Sequence, residues 1–340
     1  MHMADALLSP VVGGVMTAVS ATSIGYSVKK ITGDKLDEKK IPMMGVMGAF
    51  VFAAQMINFT IPGTGSSGHI GGGVLLAALL GPFPALLTLA SVLLIQCLFF
   101  ADGGLLAYGC NVFNMGVCAC LLAYQAIYKP IIKRGMNKKN ITIASIISVV
   151  IGLQVGAFCV VLETLASGVT ELPFGAFVAL MQPIHLAIGF VEGLVTAAVL
   201  CFVHNARPEI LESSIQNEKL AVVVSMKKVL VTFLIVTVLV GGGLSLFVSS
   251  FPDGLEWSME GVAGTTELER EDSVHDAMST IVDATAFMPN YGFAGEEDGS
   301  PLGTATAGIV GSAITIVLAG SIGFIIRATR KKSRSMVSAN

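Results

Sequence analysis

Residues 178–203 read VALMQPIHLAIGFVEGLVTAAVLCFV, 26 residues in which His185 is the sole basic side chain and Glu192 the sole acidic one. About 20 apolar residues suffice for a helix to cross a hydrocarbon layer of about 30 Å. The stretch is apolar all round rather than along one stripe, which is the pattern of a membrane span and not of a surface helix. Working outward, comparable runs occur near 8–28, 43–60, 69–82, 84–101, 105–128 and 141–166 on one side of it, and near 228–249 and 305–327 on the other. That makes nine predicted spans. The third is short, and Gly81-Pro82-Phe83-Pro84 separates it from the fourth, a sequence that breaks a helix and turns the chain. A re-entrant pair is an alternative there. Across all 340 residues 54% are hydrophobic and only 13% charged, about half the charged share of a soluble domain. Such a composition excludes an ordinary soluble enzyme, and it lacks the basic patches of a nucleic-acid binder. The fold class is an all-α polytopic membrane helical bundle.

Lys and Arg set the orientation. They cluster at Lys29, Lys30, Lys35, Lys39 and Lys40, at Lys129, Lys133, Arg134, Lys138 and Lys139, at Arg207, Lys219, Lys227 and Lys228, and at Arg327, Arg330, Lys331, Lys332 and Arg334. With nine crossings all of these lie on one side, and Arg270 is the exception. The expectation is a multi-pass protein of the cytoplasmic membrane with its N-terminus outside and its C-terminus inside. The opposite face is acidic. Residues 251–304 carry Asp253, Glu256, Glu260, Glu267, Glu269, Glu271, Asp272, Asp276, Asp283, Glu296, Glu297 and Asp298 against Arg270 alone. This reads either as a solvated outer loop or as a field that concentrates cations. Three parts follow: a seven-span unit at 1–203, a charged cytoplasmic linker at 204–227, and a two-span hairpin at 228–340 around the acidic loop. The opening Met1-His2-Met3-Ala4-Asp5 has no basic region of a cleaved signal. Met1 is therefore expected to stay and to face outward.

Five histidines occur, and the topology puts His2 and His69 at the same outer surface. His69 ends the glycine-rich stretch Pro62-Gly63-Thr64-Gly65-Ser66-Ser67-Gly68-His69. A free amine followed by histidine is a chelator. The Met1 amine and the His2 amide close a five-membered ring on a metal, and that amide with His2 Nδ1 closes a six-membered ring. The three nitrogens lie nearly in one plane, and His69 would complete a square. Square nitrogen ligation suits Ni(II) or Cu(II) better than zinc or magnesium. No G-x-x-x-x-G-K-[ST] occurs, so no nucleotide-binding loop is present.

At these residues the chain resembles the substrate-specific M subunit of cobalt/nickel energy-coupling-factor transporters, the CbiM/NikM family. The resemblance rests on the opening Met1-His2-Met3-Ala4-Asp5-Ala6-Leu7-Leu8-Ser9-Pro10, on the loop ending in His69-Ile70-Gly71-Gly72, and on Asp102-Gly103-Gly104-Leu105. It continues through Gly109-Cys110-Asn111-Val112-Phe113-Asn114-Met115-Gly116 and His185 to Gly193. One departure is Ala6, where many members carry glycine. The C-terminal part resembles the companion N subunit through Pro252-Asp253-Gly254-Leu255-Glu256-Trp257, so the whole looks like a fusion of the two. The resemblance implies a membrane component that captures Ni(II) or Co(II) on the Met1 amine, the His2 amide and imidazole and the His69 imidazole. It also implies delivery with separate transmembrane coupling and ATP-binding-cassette ATPase subunits, in agreement with the missing nucleotide loop. No catalytic residue and no resident cofactor is implied.

Further candidates flank this set. Asn111 and Asn114 are placed to hydrogen-bond the His69 loop and orient its imidazole; Asp102 and Ser67 are candidates for the same role. His185 and Glu192, seven apart on one helix face, would serve a proton path in an alternative reading, an ion-gradient-driven secondary metal transporter. Glu163 is expected near the outer interface, and His204 and His275 in loops without a special role. Cys118 and Cys120 lack zinc spacing and read as packing. The stripe Gly14, Ala18, Ala21, Thr22 and Gly25 invites close approach of another helix, either the coupling protein or a neighbour in the bundle.

Overall fold

A computed structural model describes residues 1–33, 39–170, 172–216, 226–268, 270, 272–293 and 300–337, without the side chains at 33 and from 329 on. Lys35, Lys219, Glu269, Glu271 and Glu296 to Asp298, and the side chains of Arg330 to Arg334, lie outside the described residues. After a 3-10 turn at Asp5–Leu7 come α1 (Pro10–Gly33), α2 (Lys40–Gln55) and a two-stranded hairpin of β1 (Phe59–Ile61) and β2 (Ser66–Gly68). The strands pair antiparallel, Thr60 opposite Ser67. Then follow α3 (Gly73–Leu80), α4 (Pro82–Phe100), α5 (Tyr108–Lys133), α6 (Lys138–Ser167), α7 (Phe174–Ala206) and α8 (Pro208–Gln216). The C-terminal part holds α9 (Lys227–Phe247), α10 (Gly254–Ala263), α11 (Ser273–Thr285) and α12 (Pro301–Val337).

Seven described helices, α1, α4, α5, α6, α7, α9 and α12, are long and apolar enough to cross a membrane. The protein is a multi-pass, all-α membrane bundle. The third predicted run departs most from expectation. Its helix, α3, has eight residues, about 12 Å at 1.5 Å per residue. It ends at Gly81, whose φ of +91° favours glycine, and Pro82 starts α4 at once.

Non-helical backbone inside a bundle must find its hydrogen bonds from side chains. Ahead of α3, Glu192 Oε1 accepts from the Gly72 N–H at 2.9 Å and Gln55 Nε2 donates to the Gly71 carbonyl at 2.8 Å. Behind it, Ser214 of the linker helix α8 donates to the Leu79 carbonyl at 2.8 Å. Glu192 thus braces a broken segment, and it makes no hydrogen bond to His185, which bonds the Met181 carbonyl of its own helix at 2.8 Å.

The C-terminal part packs directly on the core. Helix α12 lies along α2 and α4, α10 sits on α7, and α11 touches α4. The acidic stretch is therefore in large part structured: Asp253 and Asp272 are the N-caps of α10 and α11, each accepting backbone N–H groups of the first turn. Glu163, expected near an interface, is buried and accepts from Asn114 Nδ2 at 2.7 Å. On α1, Gly14, Ala18, Ala21, Thr22 and Gly25 are all exposed, and no atom of the bundle lies where a Cβ at Gly14 or Gly25 would go.

Candidate metal centre

The first eight residues fold back over one end of the bundle. Asn111 holds them in register: its Oδ1 accepts from the Met3 N–H at 2.7 Å and its Nδ2 donates to the Met3 carbonyl at 3.1 Å. The Gly104 N–H donates to the same carbonyl at 2.9 Å. The Asp5 carboxylate accepts from the Ala107 N–H at 2.8 Å. These bonds all come from the loop after α4 and the start of α5. They turn Met1 inward, where it is 5% exposed.

There the Met1 amine lies 3.1 Å from His69 Nε2. His69 Nδ1 faces the Ile70 carbonyl at 3.2 Å. A carbonyl only accepts, so Nδ1 carries the proton and Nε2 turns its lone pair to the amine. Two neighbouring nitrogens of a square with bonds of about 2.0–2.1 Å would be roughly 2.9 Å apart, so this pair stands near ligand spacing. His2 and His69 stack, ring centroids 5.0 Å apart. His2 Nδ1 lies 3.2 Å from Asp102 Oδ1 and Nε2 has no protein partner. The Nδ1 that the chelate needs is thus engaged by Asp102, whose other oxygen accepts from the Tyr291 hydroxyl at 2.5 Å. Burial lowers the pKa of both imidazoles; for His69 the ammonium and His2 add to it, taking it well below the ordinary value.

The C-terminal part enters this site. Asp253 pairs with the Met1 amine and lies 3.9 Å from His69 Nε2. Burial alone would raise its carboxyl, but the ammonium and His69 hold it below the usual carboxylate range. Beside it, burial and the Asp253 charge push Glu256 up to about 7. The next residue, Gly254, leaves no room for a side chain: a Cβ would stand 3.1 Å from His185 Cε1. A cavity of about 30 Å³ lies beneath, lined among others by Met1, His69, His185, Glu192 and Asp253. It has room for a water or a small ion. Among the described residues no three His, Cys, Asp or Glu side chains group as a metal cluster.

The remaining candidates sort differently. Asn111 grips Met3 and Asn114 bonds Glu163 and the Met3 sulfur, so neither hydrogen-bonds the His69 loop. Ser67 bonds the C-terminal part instead: its Oγ donates to the Phe251 carbonyl at 2.7 Å and its N–H to the Pro252 carbonyl at 2.8 Å. Cys110, Cys118 and Cys120 are buried and free. Sequence reasoning missed Asp253 and Tyr291 as neighbours of the site, and His275 as a structural contact. The Pro252–Trp257 motif carried the signal for Asp253, but nothing in it indicates a partner more than two hundred residues away.

Fold and site define a polytopic membrane protein that buries an N-terminal amine against the His69 imidazole under a C-terminal cap. The chain belongs to the family described as the cobalt uptake substrate-specific transmembrane region, CbiM, whose model matches residues 2–210; a PDGLE domain matches 227–328. A protein of Archaeoglobus fulgidus provisionally named fused nickel transport protein NikMN is 33% identical over 94% of this chain and 96% of its own length. The fused nickel transport protein NikMN of Rhodobacter capsulatus is 32% identical over 62% of this chain and 64% of its length. A crystal structure of a transition metal transporter shares 30% identity and a TM-score of 0.54, covering 62% of this chain and 95% of its own. The general role follows from the family: a substrate-specific membrane transport component of the energy-coupling-factor type for nickel or cobalt, and not an enzyme.

Proposed function

We propose that the chain captures Ni(II) or Co(II) as cargo through the Met1 amine, the His2 amide and Nδ1, and His69 Nε2. The observation that carries this is the buried approach of the Met1 amine to the His69 lone pair at 3.1 Å, across 68 residues of sequence. To complete the set, His2 Nδ1 leaves Asp102 with its ring proton moved to Nε2, and both the ammonium and the His2 amide give up a proton to solvent. Asp253 then remains as a negative charge beside the cation. Because the ligand nitrogens must shed protons to bind, affinity falls as pH falls and binding releases protons.

Residues 1–203 form the metal-binding unit, 204–227 the linker and 228–340 a two-span hairpin. The site end faces outward and the basic ends of the helices face the cytoplasm. The exposed small-residue face of α1 gives a separate coupling subunit a surface to approach, and ATP-binding-cassette subunits supply the energy. Support for this comes from the exposure of that face and from the family membership.

The test adds one alanine before Met1 and measures Ni(II) binding by calorimetry on the full chain. The expected result is loss of tight binding. Binding as tight as the parent's would refute the N-terminal chelate.

A further inference from the structure

Helix α11 meets the N-terminal segment at a point the ligands do not use. His275 is 5% exposed. Its Nε2 lies 3.0 Å from the Asp5 carbonyl and 3.1 Å from the Leu8 carbonyl, and its Nδ1 lies 2.8 Å from Asp272 Oδ2. Carbonyl oxygens only accept. Asp272 has no proton to give either. Its Oδ1 accepts from the Val274 and His275 N–H groups at 3.0 and 3.2 Å, and its Oδ2 from Arg270 Nε at 3.1 Å. The His275 bonds first, then Arg270 and Val274, hold its carboxyl well below the ordinary range. Every partner of the ring is an acceptor, so both ring nitrogens must carry protons.

We propose that His275, as an imidazolium, is a charged clasp by which the C-terminal hairpin fixes the turn that carries the Met1-His2 chelator, and that this clasp opens as pH rises. A neutral ring has one N–H fewer. It must release either Asp272 or the two carbonyls, and the Asp5 carbonyl also closes the turn by accepting from the Leu8 N–H at 3.0 Å.

The surroundings favour the charged ring. From the N-terminal turn the Asp5 carboxylate faces it; from its own element come Asp272 and Arg270. The α4 helix packed beneath has no Asp, Glu, Lys or Arg, and Asp102 at its end is occupied by His2 and Tyr291. Burial works against the charge, but Asp272 and the two carbonyls outweigh it and raise the pKa above 6.5. A group raised on folding contributes fully below its unfolded value, and the contribution is lost as pH climbs through the folded one. That is opposite in sign to the amine, which captures metal better as pH rises. Capture should therefore pass through a maximum, with His275 setting the alkaline limb. This last step rests on the ligand reading above; the clasp itself does not.

The experiment is amide deuterium exchange of the segment around residues 5–9 in the metal-free full chain in nanodiscs, from about pH 5.5 to 8.5, corrected for the intrinsic rate. Loss of a charge-assisted bond predicts a fall in protection of roughly tenfold across that range. His275→Gln, which can still donate to the carbonyls but cannot carry charge, should be flat with pH at the parent's alkaline level. Asp272→Asn keeps an N-cap and should move the parent's midpoint to lower pH. A parent that shows no pH step, a His275→Gln chain that keeps it, or an Asp272→Asn chain with an unmoved midpoint overturns the clasp. Ni(II) isotherms on the same samples separate the two ideas. An exchange step without N-terminal metal binding leaves the clasp and removes the ligand set; binding without the step does the reverse.

Discussion

Two regions hold the same eight residues by different physics. The core holds them mainly with neutral dipoles: both faces of the Asn111 amide and the Gly104 N–H bond the Met3 main chain. The hairpin holds them with charge, Asp253 on the amine and His275 on the turn. Neutral bonds do not titrate, so they fix register at any pH. Charged ones respond to protons and to an arriving cation. Under the proposed function, a chain that presents one fixed chelator and yet exchanges its occupant is served by having both.

The largest effect should come from removing what both regions serve. His69→Ala takes away a nitrogen held at 3.1 Å from the amine, and Ni(II) affinity should fall more than a hundredfold with the fold intact, as read by calorimetry and melting temperature. An unchanged affinity would leave the comparison without a site to explain.

Next is the core's side. Asn111→Ala leaves a Met3 N–H and part of a carbonyl unpaired in a buried place. Each such loss costs about 1–3 kcal/mol. Residues that orient ligands typically change affinity 10–100-fold, and a loss in that range is expected at every pH. A loss confined to one end of the pH range would mean the neutral grip is not neutral.

Asp253→Asn tests the other side. The carboxyl is held below its usual range, so its contribution is present above the ordinary carboxylate value and is lost only as pH falls through the lower folded one. From pH 5 to 8 it is constant, so the substitution should weaken capture by a similar factor across that range. The expected outcome is about a tenfold weaker Ni(II) affinity, since a buried cation loses its counter-charge. Equal affinity would show that Asp253 only anchors α10.

The contrast between the regions also explains what could be read in advance. Membrane class and helix runs were legible because lipid demands long apolar stretches and leaves the basic residues in the loops between them. Met1, His2 and His69 could be put forward as a set because chelation by an amine and the next histidine is local chemistry, and the structure brings the three side by side. The third run was not: α3 is as apolar as its neighbours, and only Gln55, Glu192 and Ser214, distant in sequence, reveal that its flanks are propped from outside. For the same reason a proton path through Glu192 stood as an alternative reading beside a structural hydrogen bond. His275 was set aside because its partners are main-chain carbonyls about 270 residues away, which no side-chain pattern announces. Local chemistry shows in sequence; the docking of one region on another does not.

The smallest effect is expected where the two regions meet without touching the amine. Ser67→Ala removes the hydroxyl bonds to the Phe251 and Pro252 carbonyls but keeps the Ser67 N–H bond to Pro252 at 2.8 Å. One strand-to-cap contact is weakened and a neighbour survives, so stability should drop by about 1 kcal/mol, seen as a melting shift of a few degrees. Ni(II) affinity should stay within about twofold. Ser67 is two residues from His69, and an affinity loss of tenfold would mean that it acts on the imidazole after all. The line between the docking surface and the metal site would then have to be drawn on the other side of β2.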